Sequence, residues 1–392
     1  MKRRLPGIGL LGALCLARPG LADPLDVWNA RFSFTGVQAI AYGNGAFVAV
    51  GGAETLLVSP DGVTWTRYVS PPALNYEGII FAGGQFVAYG YPSSTNSLGP
   101  RYILFSADGL SWTNVYQTSF QIRAAAYGNN RLVLVGDTLI SATVSPLAWS
   151  EFQPPGVPLY GVTYGMGRFA AGGPIDTSVY SHGYILSSAD GVVWRYDYGP
   201  IQGQSVSGIS YANGMFVASW RTNASYTSGF LVATNLANWN SSVIITNGSA
   251  SSSDIGSVVF GGGQFIASLD HKTYTSTDGL AWVNRSGAAG ATAFAYGRGT
   301  FVAATYTNIK QSDAFVLSSN TPSSNLAIAS YAGVTISGTG GVTYRIEYAT
   351  NLGQGSVWAL ITNLTLPFSP YLWIDTTSPI PTRRFYRAVQ ID

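Results

Sequence analysis

One cysteine, Cys15, occurs in 392 residues, and it lies near the amino terminus. Beyond it the chain has no disulfide and no thiolate metal ligand. Charged residues make up only 10% of the chain against 46% hydrophobic ones, which excludes a disordered polyelectrolyte. Histidine is limited to His182 and His271. No segment keeps an apolar period of 3.6 residues, which argues against helical bundles and helical solenoids. No apolar run after the amino-terminal segment reaches the ~20 residues needed to span a bilayer, so membrane insertion is not expected. Glycine, at 47 residues, and aromatic residues, at 13%, are abundant instead, as many short strands joined by tight turns require.

The amino terminus reads as a secretory signal peptide over residues 1–22. Lys2, Arg3 and Arg4 precede an apolar stretch from Ile8 to Ala17, and small residues Gly20 and Ala22 precede a cut before Asp23. Cys15 falls inside that stretch behind Leu14, where a lipoprotein would have a small residue. Removing Lys2, Arg3, Arg4 and Arg18 from the twenty basic residues leaves sixteen against eighteen acidic ones, a net of −2. That balance carries no nucleic-acid footprint. The expected compartment is secreted, cell-surface or periplasmic.

A phrase recurs seven times: IAYGNGAFVAVG from Ile40, then copies from Ile79, Ala125, Val162, Ile209, Val258 and Phe294. Each is a strand ending in an aromatic (Tyr42, Phe81, Tyr127, Tyr164, Tyr211, Phe260, Tyr296), a Gly/Asn turn suited to positive φ, and a second apolar strand. A second phrase, Ser-x-Asp-Gly-x-x-Trp, follows at Asp61 and Trp65, Asp108 and Trp112, Asp190 and Trp194, and Asp278 and Trp282, with degenerate copies ending at Trp149 and Trp239. The tryptophans recur at a spacing of roughly 43 residues, the length of a four-stranded propeller blade. The expected fold is all-β, a seven-bladed β-propeller over residues 23–319. A third strand for blade seven is read at Ala314 to Ser319, where no Asp-Gly-Trp phrase follows. Trp28 stands 14 residues before Tyr42, as Trp282 does before Tyr296, so the amino-terminal strand is expected to close the last blade. A polar linker at 320–325 leads to a small antiparallel β-sandwich at 326–392.

The Ser-x-Asp-Gly-x-x-Trp phrase resembles the Asp-box of sialidase-like (BNR) propellers. Paired with the YGNG phrase it looks like the repeat of exported bacterial propellers, over about three quarters of the chain. The 326–392 segment is similar to modules appended to exported bacterial proteins. Here one residue fewer separates Asp from Gly than in the usual Asp-box, so catalytic sialidase membership does not follow. Asp61, Asp108, Asp190 and Asp278 are read as turn acceptors, and Trp28, Trp65, Trp112, Trp194 and Trp282 as wedges, because repetition in several blades is what a fold requirement produces.

In a four-stranded meander, one rim collects the hairpins after strands one and three, and the other collects the loops after strand two and the crossovers. The first rim carries uniform turns, and the second carries insertions at Tyr91 to Arg101, Pro174 to Gly183, Arg221 to Gly229 and Tyr306 to Asp313. Variable loops on one rim read as a binding face. The candidate binding residues there are Tyr91, Arg101, Tyr180, His182, Arg221 and Tyr226. No metal site is expected, since His182, His271, Asp176 and Asp270 have no spacing that converges them. Glu77, with Arg101 and Arg123 able to approach, is the position a sialidase-type centre would use. Arg345, Arg383, Arg384 and Arg387 form a basic cluster in the last segment, which pairing with Glu347 and Asp375 would neutralise.

The resulting expectation is an exported, non-enzymatic, monomeric binding or scaffold protein. It would recognise an extracellular glycan or protein without a cofactor, and no residue is assigned a catalytic role. A carbohydrate-active enzyme on the same rim is the first alternative. An assembly factor resembling the seven-bladed photosystem-assembly propellers is the second.

Overall fold

The computed structural model describes residues 23–69, 73–95, 99–144, 147–152, 158–174, 182–202, 204–222, 227–245, 255–269, 271–315, 332–339, 341–353, 356–366, 371–375 and 384–391. The proposed leader, residues 1–22, lies outside them. The described residues contain strands and turns but no helix. Two compact units divide at Val316 and Leu317.

The first unit is a seven-bladed β-propeller of four-stranded antiparallel sheets. Blade one runs Val37–Gly43, Ala46–Gly51, Thr55–Ser59 and Thr66–Tyr68, each strand paired to the next. The second strand of every blade is buried on both faces, because neighbouring sheets stack on it. Phe47, Val48, Ala49 and Val50 are each wholly inaccessible. This explains why the repeat reads as a continuous apolar run rather than an alternating one.

Blade seven is assembled from both ends of the unit. Ala291–Gly297, Thr300–Thr305 and Asn308–Ser312 are followed in the sheet by Trp28–Ser33, with Trp28 opposite Ser312. The third strand is thus Asn308–Ser312, not Ala314 to Ser319, and the supposed insertion from Tyr306 contributes a two-residue turn and a strand. Inward Ile309 and Gln311 are buried, and Gln311 donates to the Asp61 carbonyl of blade one. The polar look of this strand had hidden it. Leu25 is fully buried against Ile266, Phe294 and Phe301, Trp28 Nε1 donates to the Leu25 carbonyl at 2.9 Å, and Arg285 holds both Asp23 and Asp26.

Two turn devices repeat around the ring. The hairpin turns after each first strand place two successive residues at positive φ, as at Asn44 and Gly45, Asn129 and Asn130, and Met166 and Gly167. These are the primed turns whose twist matches the strands they join. The aromatic ending each first strand then lies on the turn of the preceding blade. A Cβ on Gly43 would come within 2.0 Å of Phe81, one on Gly165 within 2.1 Å of Tyr211, and one on Gly297 within 2.4 Å of Tyr42. In the five blades where glycine follows the aromatic, the next blade's ring occupies the space a side chain would need.

The second device is the Asp-Gly turn. Asp108 accepts N–H bonds from Leu110 and Ser111, Ser106 Oγ accepts from Gly109, and Trp112 Nε1 donates to the Gly109 carbonyl. Asp61, Asp190 and Asp278 repeat the carboxylate bonds, and Asn235 takes the role in the degenerate copy before Trp239. The Ser111 and Leu110 N–H groups hold Asp108 below the ordinary carboxylate pKa.

The second unit contains a two-stranded sheet, Ala332–Ile336 with Tyr371–Asp375, and a three-stranded sheet in the order Ala359–Thr365, Thr343–Ala349, Phe385–Gln390. Its described arginines are committed internally. Arg384 donates to buried Asp375, Arg345 and Arg387 flank Glu347, and Arg387 stacks on Trp358. Arg383 lies outside the described residues.

Candidate functional site

Each first strand lies innermost and begins at the crossover rim, so its opening residues surround the mouth of a central channel. The position four residues before the rim aromatic is special in every blade. In six first strands the pairing register slips there: Gln38 is unpaired between Val37 and Ala39, Glu77 between Tyr76 and Gly78, Arg123 between Ile122 and Ala124, Ser207 between Val206 and Gly208, and Thr292 between Ala291 and Ala293. Blade six slips between Ile255 and Val258, across Gly256. In blade four Tyr160 stands just before the strand, its N–H donating to the Gly172 carbonyl at 2.8 Å. A β-bulge re-aims a side chain out of the alternating pattern. Six of these seven residues (Gln38, Glu77, Arg123, Tyr160, Ser207 and Thr292) line one cavity of about 430 Å³.

The charged groups gather on the side of blades two to four. Arg101 grips Glu77 side-on through one guanidinium edge, Nε to Oε2 at 3.0 Å and Nη2 to Oε1 at 2.9 Å, and its third nitrogen donates to the Gly99 carbonyl. Arg123 donates to Asp137 at 2.8 Å and lies over the Tyr160 ring at 5.0 Å. Tyr89, buried beside Gly78, has its hydroxyl pKa pushed up by burial and then by the charge of Glu77, so it stays neutral. Ser207 and Thr292 oppose this wall with small hydroxyls.

The candidate residues read from sequence separate in the structure. Tyr91 and Arg101 come together, the guanidinium 5.1 Å from the ring, but Arg101 is 3% exposed and ends inside the blade as the partner of Glu77. It is a clamp, not an exposed ligand contact. Arg221 is half-buried opposite Ser205 and Ser228 in blade five. The backbone of His182 opens a strand opposite Gln202. Tyr180 and Tyr226 lie outside the described residues, as do Asp176 and Asp270, while His271 Nδ1 meets the Tyr306 hydroxyl at 2.7 Å. The rim insertions are shorter than their sequence bounds, because Tyr91, Arg101, Pro174, Arg221 and Gly229 all belong to strands. Among the described residues no group of three metal-ligating side chains occurs, and no helix is long and apolar enough to cross a membrane.

The ring of bulged residues was missed in sequence. Its signal was present, since the fourth residue before each repeat aromatic varies through Gln, Glu, Arg, Tyr, Ser, Gly and Thr while the next residue is always Ala, Gly or Ser.

No protein-family model and no curated protein sequence matches the chain. Solved structures do match its fold. One, "YCF48 bound to D1 peptide", is 12% identical with a TM-score of 0.55, over 76% of this chain and 98% of that one. Another, the extracellular domain of the putative one component system BT4673 from B. thetaiotaomicron, is 10% identical with a TM-score of 0.54, over 89% of this chain and 51% of that one. These likenesses establish a propeller fold.

Proposed function

We propose that this chain is an exported binding module that captures an extracellular glycan or protein through the crossover rim of its propeller. The observation that carries this reading is the convergence of an amide, hydroxyls, a guanidinium and an aromatic on one cavity at that rim. Hydrolysis of a glycoside would require two carboxyl groups roughly 5 to 10 Å apart. Glu77 is the single carboxylate among the residues lining the cavity, and Arg101 occupies both its oxygens. A neighbour of the same fold was solved with a peptide and another is an extracellular domain, which supports a binding role at that coarse level. Export rests on the leader at 1–22, and the division into 23–319, 320–325 and 326–392 belongs to the same reading.

Glycan and peptide arrays probed with the full chain, and with a variant lacking residues 175–181 and 223–226, test the proposal. Capture should be lost in the variant while the melting midpoint hardly moves, since the strands Arg168–Pro174, His182–Ser188, Met215–Thr222 and Ser228–Ala233 are all kept. Normal capture by the shortened protein would move recognition away from this rim, with residues 326–392 the next segment to examine.

A further inference from the structure

Resting on that reading, we infer that the ring of bulged residues is a specificity-determining site for a neutral, polyhydroxylated ligand, a saccharide unit without carboxylate, sulfate or amine. Three observations lead there.

The first is the repetition of the bulge. Seven first strands expose seven inner edges to the channel, and an exposed edge ordinarily templates pairing with an extended peptide. A bulge interrupts the regular spacing of N–H and C=O groups on its strand. Here the ladder is interrupted at the channel mouth in six blades, and in the seventh the strand starts only after Tyr160. Peptide addition to these edges is therefore disfavoured at the mouth, and what enters meets side chains. The scaffold is constant while the bulged side chain differs from blade to blade, so the identity of the ligand is encoded in that one position.

The second is charge. The constellation holds two guanidinium groups and two carboxylates, paired Arg101 with Glu77 and Arg123 with Asp137. An anionic ligand would have to compete with the carboxylates for the arginines, and a cation would compete in reverse. A hydroxyl competes with neither, because it can donate to a remaining lone pair of Glu77 and accept from a remaining N–H of Arg123. Gln38 offers both donor and acceptor, and Ser207 adds another hydroxyl. A group that donates and accepts at each of several closely spaced oxygens matches this wall.

The third is size and shape. A cavity of about 430 Å³ falls within the range of small-molecule sites. Tyr160, with Arg123 on one face, contributes an aromatic ring to the lining, and the apolar side of a sugar ring packs on such a surface.

The test uses the purified full chain with a panel of neutral gluco-, xylo-, manno- and N-acetylglucosamine oligosaccharides, uronate-containing and sialylated oligosaccharides, and unstructured peptides, read by calorimetry and ligand-observed NMR. At least one neutral oligosaccharide should bind, with an affinity that hardly changes between low and high salt, since no net charge is exchanged. Ser207→Trp, which fills the mouth from the small wall, should weaken that binding by about tenfold or more. Gln38→Trp, at an exposed position, should do the same, and near-native melting curves for either variant establish that the loss is local. Preference for acidic oligosaccharides, or strong salt dependence, overturns the neutral-ligand inference. Binding of a peptide that both tryptophan variants abolish overturns it too, but leaves the binding-module reading standing. Saccharide binding that neither variant disturbs removes the ring from recognition. Absence of binding by every probe removes the inference and the reading together.

Discussion

Gly297→Ala is the substitution that most directly interrogates how the ring holds together. Gly297 ends the first strand of blade seven, and its φ lies outside the left-handed region, so alanine is acceptable to the backbone. The obstacle is a neighbour: the added Cβ would stand 2.4 Å from the Tyr42 ring of blade one, which packs against Phe47 with centroids 4.6 Å apart and planes tilted by 49°. Tyr42 must then move away from the cluster that Val37, Phe47 and Leu57 share with Val302 and Ile309 of blade seven. Overpacking of this kind costs about 1–3 kcal/mol. For a domain of this size it should lower the melting midpoint by roughly 2 to 10 °C. The control is the same change in a Tyr42→Ala background. There the obstacle is gone, and alanine should be neutral or stabilising by about 0.5 kcal/mol through loss of unfolded-chain freedom. Chemical denaturation of the four proteins closes the cycle. If Gly297→Ala is equally costly with and without the Tyr42 ring, blade one does not press on blade seven and the account of the aromatic-glycine step fails. Blades two and five already carry Ala82 and Ala212 at this position, so Ala82→Gly should bring no comparable gain.

Leu25→Ala should cost about 2–4 kcal/mol, because a fully buried side chain leaves a cavity between blades six and seven; deletion of residues 23–31 should cost more and lower solubility, and an unchanged melt in either would dismiss the amino-terminal strand as a structural element. Asp108→Asn should keep both turn hydrogen bonds, as Asn235 does, and lose less than about 1 kcal/mol at pH 7. Since the folded Asp108 pKa is depressed, its charged form contributes stability above the unfolded value near 4 that is lost as pH falls through the folded one, so the difference between wild type and variant should vanish in acid. Asp108→Ala should cost about 0.5–1.5 kcal/mol rather than the larger sum due to buried donors, because the Leu110 and Ser111 N–H groups can turn to water. Arg101→Met should destabilise by about 2 kcal/mol or more, read by urea unfolding, by leaving Glu77 without its bidentate partner at 20% side-chain exposure.

The blade count and the hairpins were legible in the amino-acid order because their local chemistry is repeated seven times, and the Asp-Gly turns because theirs recurs in four clear copies. Tyr-Gly before Asn-Gly dictates a primed turn wherever it occurs, and an Asp two and three residues before backbone N–H groups caps a turn without help from elsewhere. Trp28 was recognisable as the missing outer strand's marker by spacing alone. What sequence could not supply was anything that depends on which residues the ring brings into register. Asn308–Ser312 looked like a loop because its buried Gln311 finds its acceptor in blade one, 250 residues away. Arg101 looked like a rim ligand because a buried arginine is intelligible only once Glu77, 24 residues earlier, is seen to hold it. The ring at the channel mouth is the clearest case. Gln38, Glu77, Arg123, Tyr160, Ser207 and Thr292 are strangers in the chain, and only circular closure, with a bulge at five of them and a late strand start at Tyr160, makes them neighbours.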